Sequence, residues 1–143
     1  MAAHLMAQGR DSEFVLAASV KAHEKSVTAL CLIGTEFIAS GGDDVVKIWA
    51  FDEATQGGGS CRRSLRHEFR LWALASWQAQ LASGGFEQSD VMIWDLETQI
   101  CGQLKGHRSG VRALTWLDGN TLAVSTGDRL IDIWDLRSGE RCQ

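Results

Sequence analysis

His23, His67 and His107 fall at near-equal intervals, and each is followed by a serine or threonine, in two cases by an aspartate, and then by a tryptophan. Histidine, serine and aspartate are the groups of a hydrolase triad, in which an imidazole takes the proton of a hydroxyl nucleophile and a carboxylate orients the ring. That chemistry needs one nucleophile tuned in one site. Here the set occurs three times, which argues for a structural role and against an enzyme. Cys61 and Cys101 each stand six residues before one of these histidines, and Cys142 falls close to the same phase. Six residues of extended strand span roughly 20 Å, too far for a cysteine and its histidine to share a metal ion. With no CxxC pair, neither a metal site, a cofactor nor a disulfide framework is expected.

Two further groups could carry chemistry. Arg62, Arg63, Arg66 and Arg70 form a basic cluster opposed locally by Glu68. Charge on an outer strand discourages edge pairing, which accounts for Arg62 and Arg63; Arg66 and Arg70 flank His67 and are candidates for an acidic or phosphorylated partner. The stretch Gln56-Gly57-Gly58-Gly59-Ser60 lacks the Gly-Lys-Ser or Gly-Lys-Thr of a phosphate-binding loop and reads as a surface connection.

The composition bounds what such groups can do. The 143 residues are 45% hydrophobic and 22% charged, with 14 basic against 18 acidic side chains, so no global field draws the chain to nucleic acid or an anionic membrane. No apolar run reaches the roughly 18 residues of a membrane span, and the N-terminus lacks the pattern of a signal peptide. The expected setting is intracellular and reducing, cytoplasmic rather than nuclear.

The elements that must position these residues are repeats. Trp49, Trp94 and Trp134 are spaced by 45 and 40 residues, and the histidines precede them by 26, 27 and 27. Four residues after each histidine begins a matched tetrapeptide: Val27-Thr28-Ala29-Leu30, Leu71-Trp72-Ala73-Leu74 and Val111-Arg112-Ala113-Leu114. A small-residue step follows, Ala39-Ser40-Gly41-Gly42, Ala82-Ser83-Gly84-Gly85 and the looser Val124-Ser125-Thr126-Gly127. Landmarks recurring in one order at such a period mark a repeat architecture. Short apolar runs between turn signals predict strands: 26–33, 37–40 and 45–51, then 70–77, 80–83 and 90–96, then 110–117, 121–125 and 130–136. Fourth strands are predicted at 14–20, 61–65 and 98–104, with a short one at 139–143.

With Gly106-His107 and Trp134-Asp135 intact in the third unit, and Ala22-His23, Trp49-Ala50, Arg66-His67 and Trp94-Asp95 in the others, the chain resembles the WD-repeat β-propellers. The resemblance implies an all-β fold, a partial propeller of about three four-stranded antiparallel blades. It divides the chain into a loose tail at 1–12 and three repeats at about 13–51, 52–96 and 97–143. It also implies that a histidine, a second-strand hydroxyl, a turn aspartate and the tryptophan form a buried hydrogen-bonded set in each blade. The positions are His23, Ser40, Asp43 and Trp49; His67, Ser83 and Trp94, with Gln88 where the aspartate would stand; and His107, Asp128 and Trp134, with Ser125 or Thr126 replacing the hydroxyl lost at Val124. Trp77 and Trp116 read as core. Trp72 stands where the other units carry Thr28 and Arg112, so Trp72 and Arg112 are candidates for binding a partner at the channel rim, joined by Arg66 and Arg70.

The function implied is a non-catalytic scaffold or adaptor for protein partners. Its rivals are a targeting arm of a longer enzyme, such as a kinase or ubiquitin ligase, and a phosphopeptide or nucleic-acid reader using the Arg62 to Arg70 cluster. Three blades do not close a ring, so the chain is expected to be a fragment, or to be completed by self-association or by another chain.

Overall fold

A computed structural model describes residues 16, 18–51, 59–87, 90–137 and 140–142. Twelve strands form three antiparallel four-stranded sheets, each a meander. The first contains β1 Val27–Ile33, β2 Phe37–Gly42, β3 Val45–Ala50 and β4 Ser60–Arg66. The second contains β5 Leu71–Trp77, β6 Gln80–Gly85, β7 Val91–Asp95 and β8 Cys101–Leu104. The third contains β9 Val111–Asp118, β10 Thr121–Thr126, β11 Ile131–Asp135 and β12 Glu140–Cys142. The fold is therefore the expected arc of three propeller blades, with inner strands β1, β5 and β9 side by side. The strand β8 begins at Cys101 rather than Thr98 because Asp95 Oδ1 accepts the backbone N–H groups of Glu97 and Thr98, both at 2.9 Å, and holds that stretch as a turn.

Each sheet has two unlike faces. One carries the tryptophan and large aliphatics; the other carries small and β-branched residues. The tryptophan face of the second sheet, with Leu74, Leu81, Met92 and Trp94, packs on Ala39, Val46 and Ile48 of the first. That of the third sheet, with Trp116, Leu122, Val124 and Trp134, packs on Ala73, Ala75, Ala82 and Val91 of the second. Backbone ties reinforce both ends of the first contact: Leu71 N–H donates to Asp43 O at 2.9 Å and His67 N–H to Asp44 O at 2.7 Å, while Arg63 Nη1 donates to Leu96 O at 3.0 Å.

The same repeat position is thus buried or bare according to its neighbour. Leu74, opposite Ser83, is 8% exposed, whereas Leu30, opposite Ser40, is 65% exposed. On the other face Val46 and Val91 are fully buried, but their counterpart Ile131 is 71% exposed. The expected leading strand at 14–20 is not formed where it is described: Leu16 and residues 18–20 are irregular, and Phe14, Val15 and Ala17 lie outside the described residues. A fourth strand needs a third strand to pair with, and none lies on that side. Residues 18–20 and Ala22 instead border a groove of about 290 Å³ on the face of Leu30 and Trp49. The tail at 1–12, most of the glycine-rich loop (56–58) and Gln88 also lie outside the described residues.

Exposed apolar faces at both ends of the arc predict that the isolated 143-residue chain associates. Light scattering should report species heavier than 15.7 kDa, and Leu30→Glu combined with Ile131→Lys should shift them toward monomer. A wild-type chain that remains monomeric with cooperative unfolding contradicts this.

Candidate functional site

The recurrent polar residues meet in the sheet interiors. In the first blade His23 Nε2 lies 2.8 Å from Ser40 Oγ, which also accepts the indole N–H of Trp49 at 2.9 Å. In the second, His67 Nε2 lies 3.1 Å from Ser83 Oγ, and Trp94 donates to the same oxygen at 2.9 Å. One buried hydroxyl thus serves two rings. The first set requires glycine at position 42, where a Cβ would stand 2.7 Å from the His23 ring. Burial lowers the His67 pKa to about 4 against a smaller opposing effect of Asp44, and lowers that of His23 with help from the Lys47 charge.

Two expected aspartates stand elsewhere. Asp43 sits in the β2–β3 turn at φ +54°, and its Oδ2 faces the Lys25 N–H at 3.4 Å, leaving His23 Nδ1 without a hydrogen-bond partner. In the third blade the partner of His107 is Asp132, not Asp128: His107 Nδ1 and Asp132 Oδ2 are 3.0 Å apart and both side chains are buried. Asp128 accepts the hydroxyl proton of Thr126 beside it, so Thr126 does not replace the missing serine. The reason lies in strand register. Val124 occupies the place of Ser40 and Ser83, and Asp132 lies directly opposite it on β11, where the other sheets carry Lys47 and Met92. With a methyl group in place of the bridging oxygen, His107 Nε2 and Trp134 Nε1 have no hydrogen-bond partner.

At the rim, the three sheets share a β-bulge. Pairing skips Thr28 between Val27 and Ala29, Trp72 between Leu71 and Ala73, and Arg112 between Val111 and Ala113. A bulge re-aims the side chain it leaves unpaired. Trp72 is 40% exposed, and its ring lies 5.7 Å from that of Phe86, which is also exposed. The Arg112 guanidinium stands over the same ring, 4.3 Å from the Phe86 centroid. Gly110 is essential to this approach, since a Cβ there would come within 1.8 Å of the Phe86 carbonyl oxygen. Phe86 carried no signal in the repeat, because it follows the small-residue step that defines the period.

The arginine cluster does not form one patch. Arg62 and Arg63 border a cavity of about 530 Å³ with Phe37, Ile48 and Leu96 at the end of the blades opposite the rim. Arg70 borders a cleft of about 420 Å³ with Lys25, Asp43, Asp44, Glu68 and Glu87, and Arg66 is exposed at the end of β4. An extended strand running from one end of the blade to the other separates the pairs.

The profile of the WD domain, G-beta repeat family (WD40) matches residues 14–50 and 98–135, more than half of the chain. The chain belongs to the WD40 family. It is 29% identical over 118 residues to a ribosome biogenesis protein WDR12 homolog of Culex quinquefasciatus, covering 81% of this chain and 23% of that protein. It is 30% identical over 108 residues to the protein transport protein SEC13 of Chaetomium globosum, covering 68% and 37%. A crystal structure of RRP9 WD40 repeats superimposes with a TM-score of 0.72 at 20% identity, over 86% of this chain and 39% of that one. This WD40 chain therefore spans between about a quarter and two-fifths of these three proteins.

The aspartate of the WD dipeptide has a visible task here. Asp95 and Asp135 accept backbone N–H groups of the following turn, and Asp135 is also gripped by the Arg137 guanidinium, which lowers its carboxyl pKa to about 2. Trp116 is buried and donates to Ala75 O at 3.2 Å, but Trp77, expected in the core, is 37% exposed at the end of β5. Cys61 and Cys101 lie opposite Trp49 and Trp94, whereas Cys142 is displaced by one residue and lies opposite Ile133. Among the described residues no cluster of histidine, cysteine and carboxylate side chains could hold a metal ion, and no helix is long and apolar enough to cross a membrane.

Asp132→Ala should destabilise the fold by about 1–3 kcal/mol, because it leaves His107 Nδ1 buried and unpaired, and should cost more than Asp128→Ala. Urea unfolding of the two variants checks the order. Because His67 titrates near 6.5 when unfolded and near 4 when folded, its contribution to stability is complete above pH 6.5 and declines as pH falls from there to about 4. His67→Gln should be less stable at neutral pH and should flatten the unfolding midpoint against pH across that window.

Proposed function

We propose that this WD40 chain is a non-catalytic scaffold or adaptor segment that binds protein partners through the rim carrying Trp72 and Arg112. One observation carries the reading: two aromatic rings and a guanidinium, all supplied by turns and bulges, stand together on the surface in place of the small or polar residues a solvated rim needs. Exposed aromatic and arginine side chains clustered in this way are favoured anchors of protein interfaces. The buried histidines and serines suit stability rather than catalysis, because each serine hydroxyl already serves a histidine and an indole. Relatives named for ribosome biogenesis and for protein transport share the repeat without sharing one reaction, which suits an interaction module. Splitting of the arginine cluster between the two ends of the blade disfavours a polyanion reader built on Arg62 to Arg70.

Trp72→Ala and Arg112→Ala should each weaken a co-purified protein partner by roughly tenfold or more while leaving the unfolding midpoint near that of the wild type. A comparable loss of folding in both variants would return these residues to the core and remove the rim as a binding surface.

A further inference from the structure

The rim is polar in a particular order. At the junction of the first and second sheets, the cleft holds four carboxylates, Asp43, Asp44, Glu68 and Glu87, against Lys25 and Arg70. Glu87 is followed back along the chain by Phe86, which stacks with Trp72. Arg112 lies over the same Phe86 ring in the third sheet, where the Thr126 hydroxyl and, to a lesser degree, the Arg108 charge hold the Asp128 carboxyl below its ordinary range. Acidic, aromatic and basic groups therefore follow one another around the inner edge of the arc.

The bulge explains why two of its three residues are displayed and one is not. Thr28 spends its hydroxyl inside the fold, its one proton shared between Leu71 O at 2.8 Å and Gly41 O at 3.1 Å. Trp72 and Arg112 occupy the equivalent position and are exposed. Arg112 is held by the face of the Phe86 ring, and no carboxylate of the described residues forms a salt bridge with it. A guanidinium lying on an aromatic face keeps its N–H edge open, which is the geometry that receives a carboxylate through two parallel hydrogen bonds.

We propose that the rim receives a short extended segment of a partner protein in which a bulky apolar residue, seated on Trp72 and Phe86, is followed by a carboxylate held by Arg112 and preceded by a basic residue directed to the carboxylate-rich cleft. The proposal rests on the scaffold reading and names the partner's chemistry. Charge complementarity selects this occupant: a nucleic-acid strand laid along the same path would bring phosphates against four carboxylates. A segment carrying both signs meets each charge with its opposite and gains orientation from the order.

Fluorescence anisotropy with short labelled peptides tests this on the full chain. The probes carry a basic, an aromatic and an acidic residue in order, with companions in which the acid is replaced by its amide, the aromatic by alanine, or the two charges exchanged. The expected result is binding that weakens by about tenfold or more on acid-to-amide replacement and is lost without the aromatic residue. Arg112→Glu should abolish binding of the acidic probe and restore it for a probe carrying lysine at that place, with Phe86→Ala weakening all of them and both variants unfolding at the wild-type midpoint. Equal binding of acid and amide probes, indifference to Arg112→Glu, or tighter binding of single-stranded RNA than of any peptide would overturn the proposal, as would failure of every peptide to bind. In that last case a co-purified partner still lost on Trp72→Ala would leave the scaffold standing and remove only its chemistry.

Discussion

A four-stranded propeller blade is covered on neither face by its own strands, and everything else in this molecule follows from how the two faces are made to fit. The tryptophan face is thick, with Leu74, Leu81 and Trp94 in the second sheet, and the opposite face is thin, with Ala39, Val46 and Ile48 in the first. Thick against thin fills the space between sheets without strain, each large aliphatic contributing on the order of 2 kcal/mol when covered. The rule of one thick and one thin face makes the packing directional. It is why Leu30 and Ile131, ordinary members of the repeat, are the most conspicuous exposed residues at opposite ends of the arc.

Packing sheets this way buries polar atoms, and the hydroxyl of Ser40 or Ser83 resolves that cost by serving an imidazole and an indole at once. The third blade shows what happens when the serine is absent. Val124 joins the apolar core but leaves Trp134 Nε1 and His107 Nε2 without a partner, and only the other ring nitrogen of the histidine, Nδ1, is served from the neighbouring strand by Asp132. The lock has moved one strand outward while the ring stayed in place. Meanwhile the exposed ends of the inner strands, freed by a bulge from ladder pairing, carry the residues that differ most between blades: threonine, tryptophan and arginine. The buried polar set and the exposed side chains of the rim thus occupy separate positions of one repeat.

Much of this was legible in the chain itself. The spacing of His23, His67 and His107 from their tryptophans revealed three blades, and strand boundaries fell within a few residues because glycine-rich steps and two-residue turns punctuate each unit. Trp72 stood out because a large aromatic replaced polar residues at a matched position. Asp132 was missed because counting back from the tryptophan assumes that each blade satisfies its histidine from the same turn, whereas cross-strand register decides which carboxylate is opposite Val124. Phe86 was invisible for a related reason: its importance comes from two neighbours in other turns, Trp72 and Arg112, and not from any period. The four arginines looked like one patch because proximity in sequence hides the length of an extended strand.

In the first two blades a single hydroxyl opposite the third strand reconciles the buried rings with an apolar interior. Equilibrium unfolding of Val124→Thr tests this, since threonine matches valine in shape and exchanges one methyl group for a hydroxyl. The account requires the midpoint to hold or rise, with the new hydroxyl serving Trp134 Nε1 and His107 Nε2. A fall of about 1–3 kcal/mol, the ordinary cost of burying an unpaired hydroxyl, would contradict it.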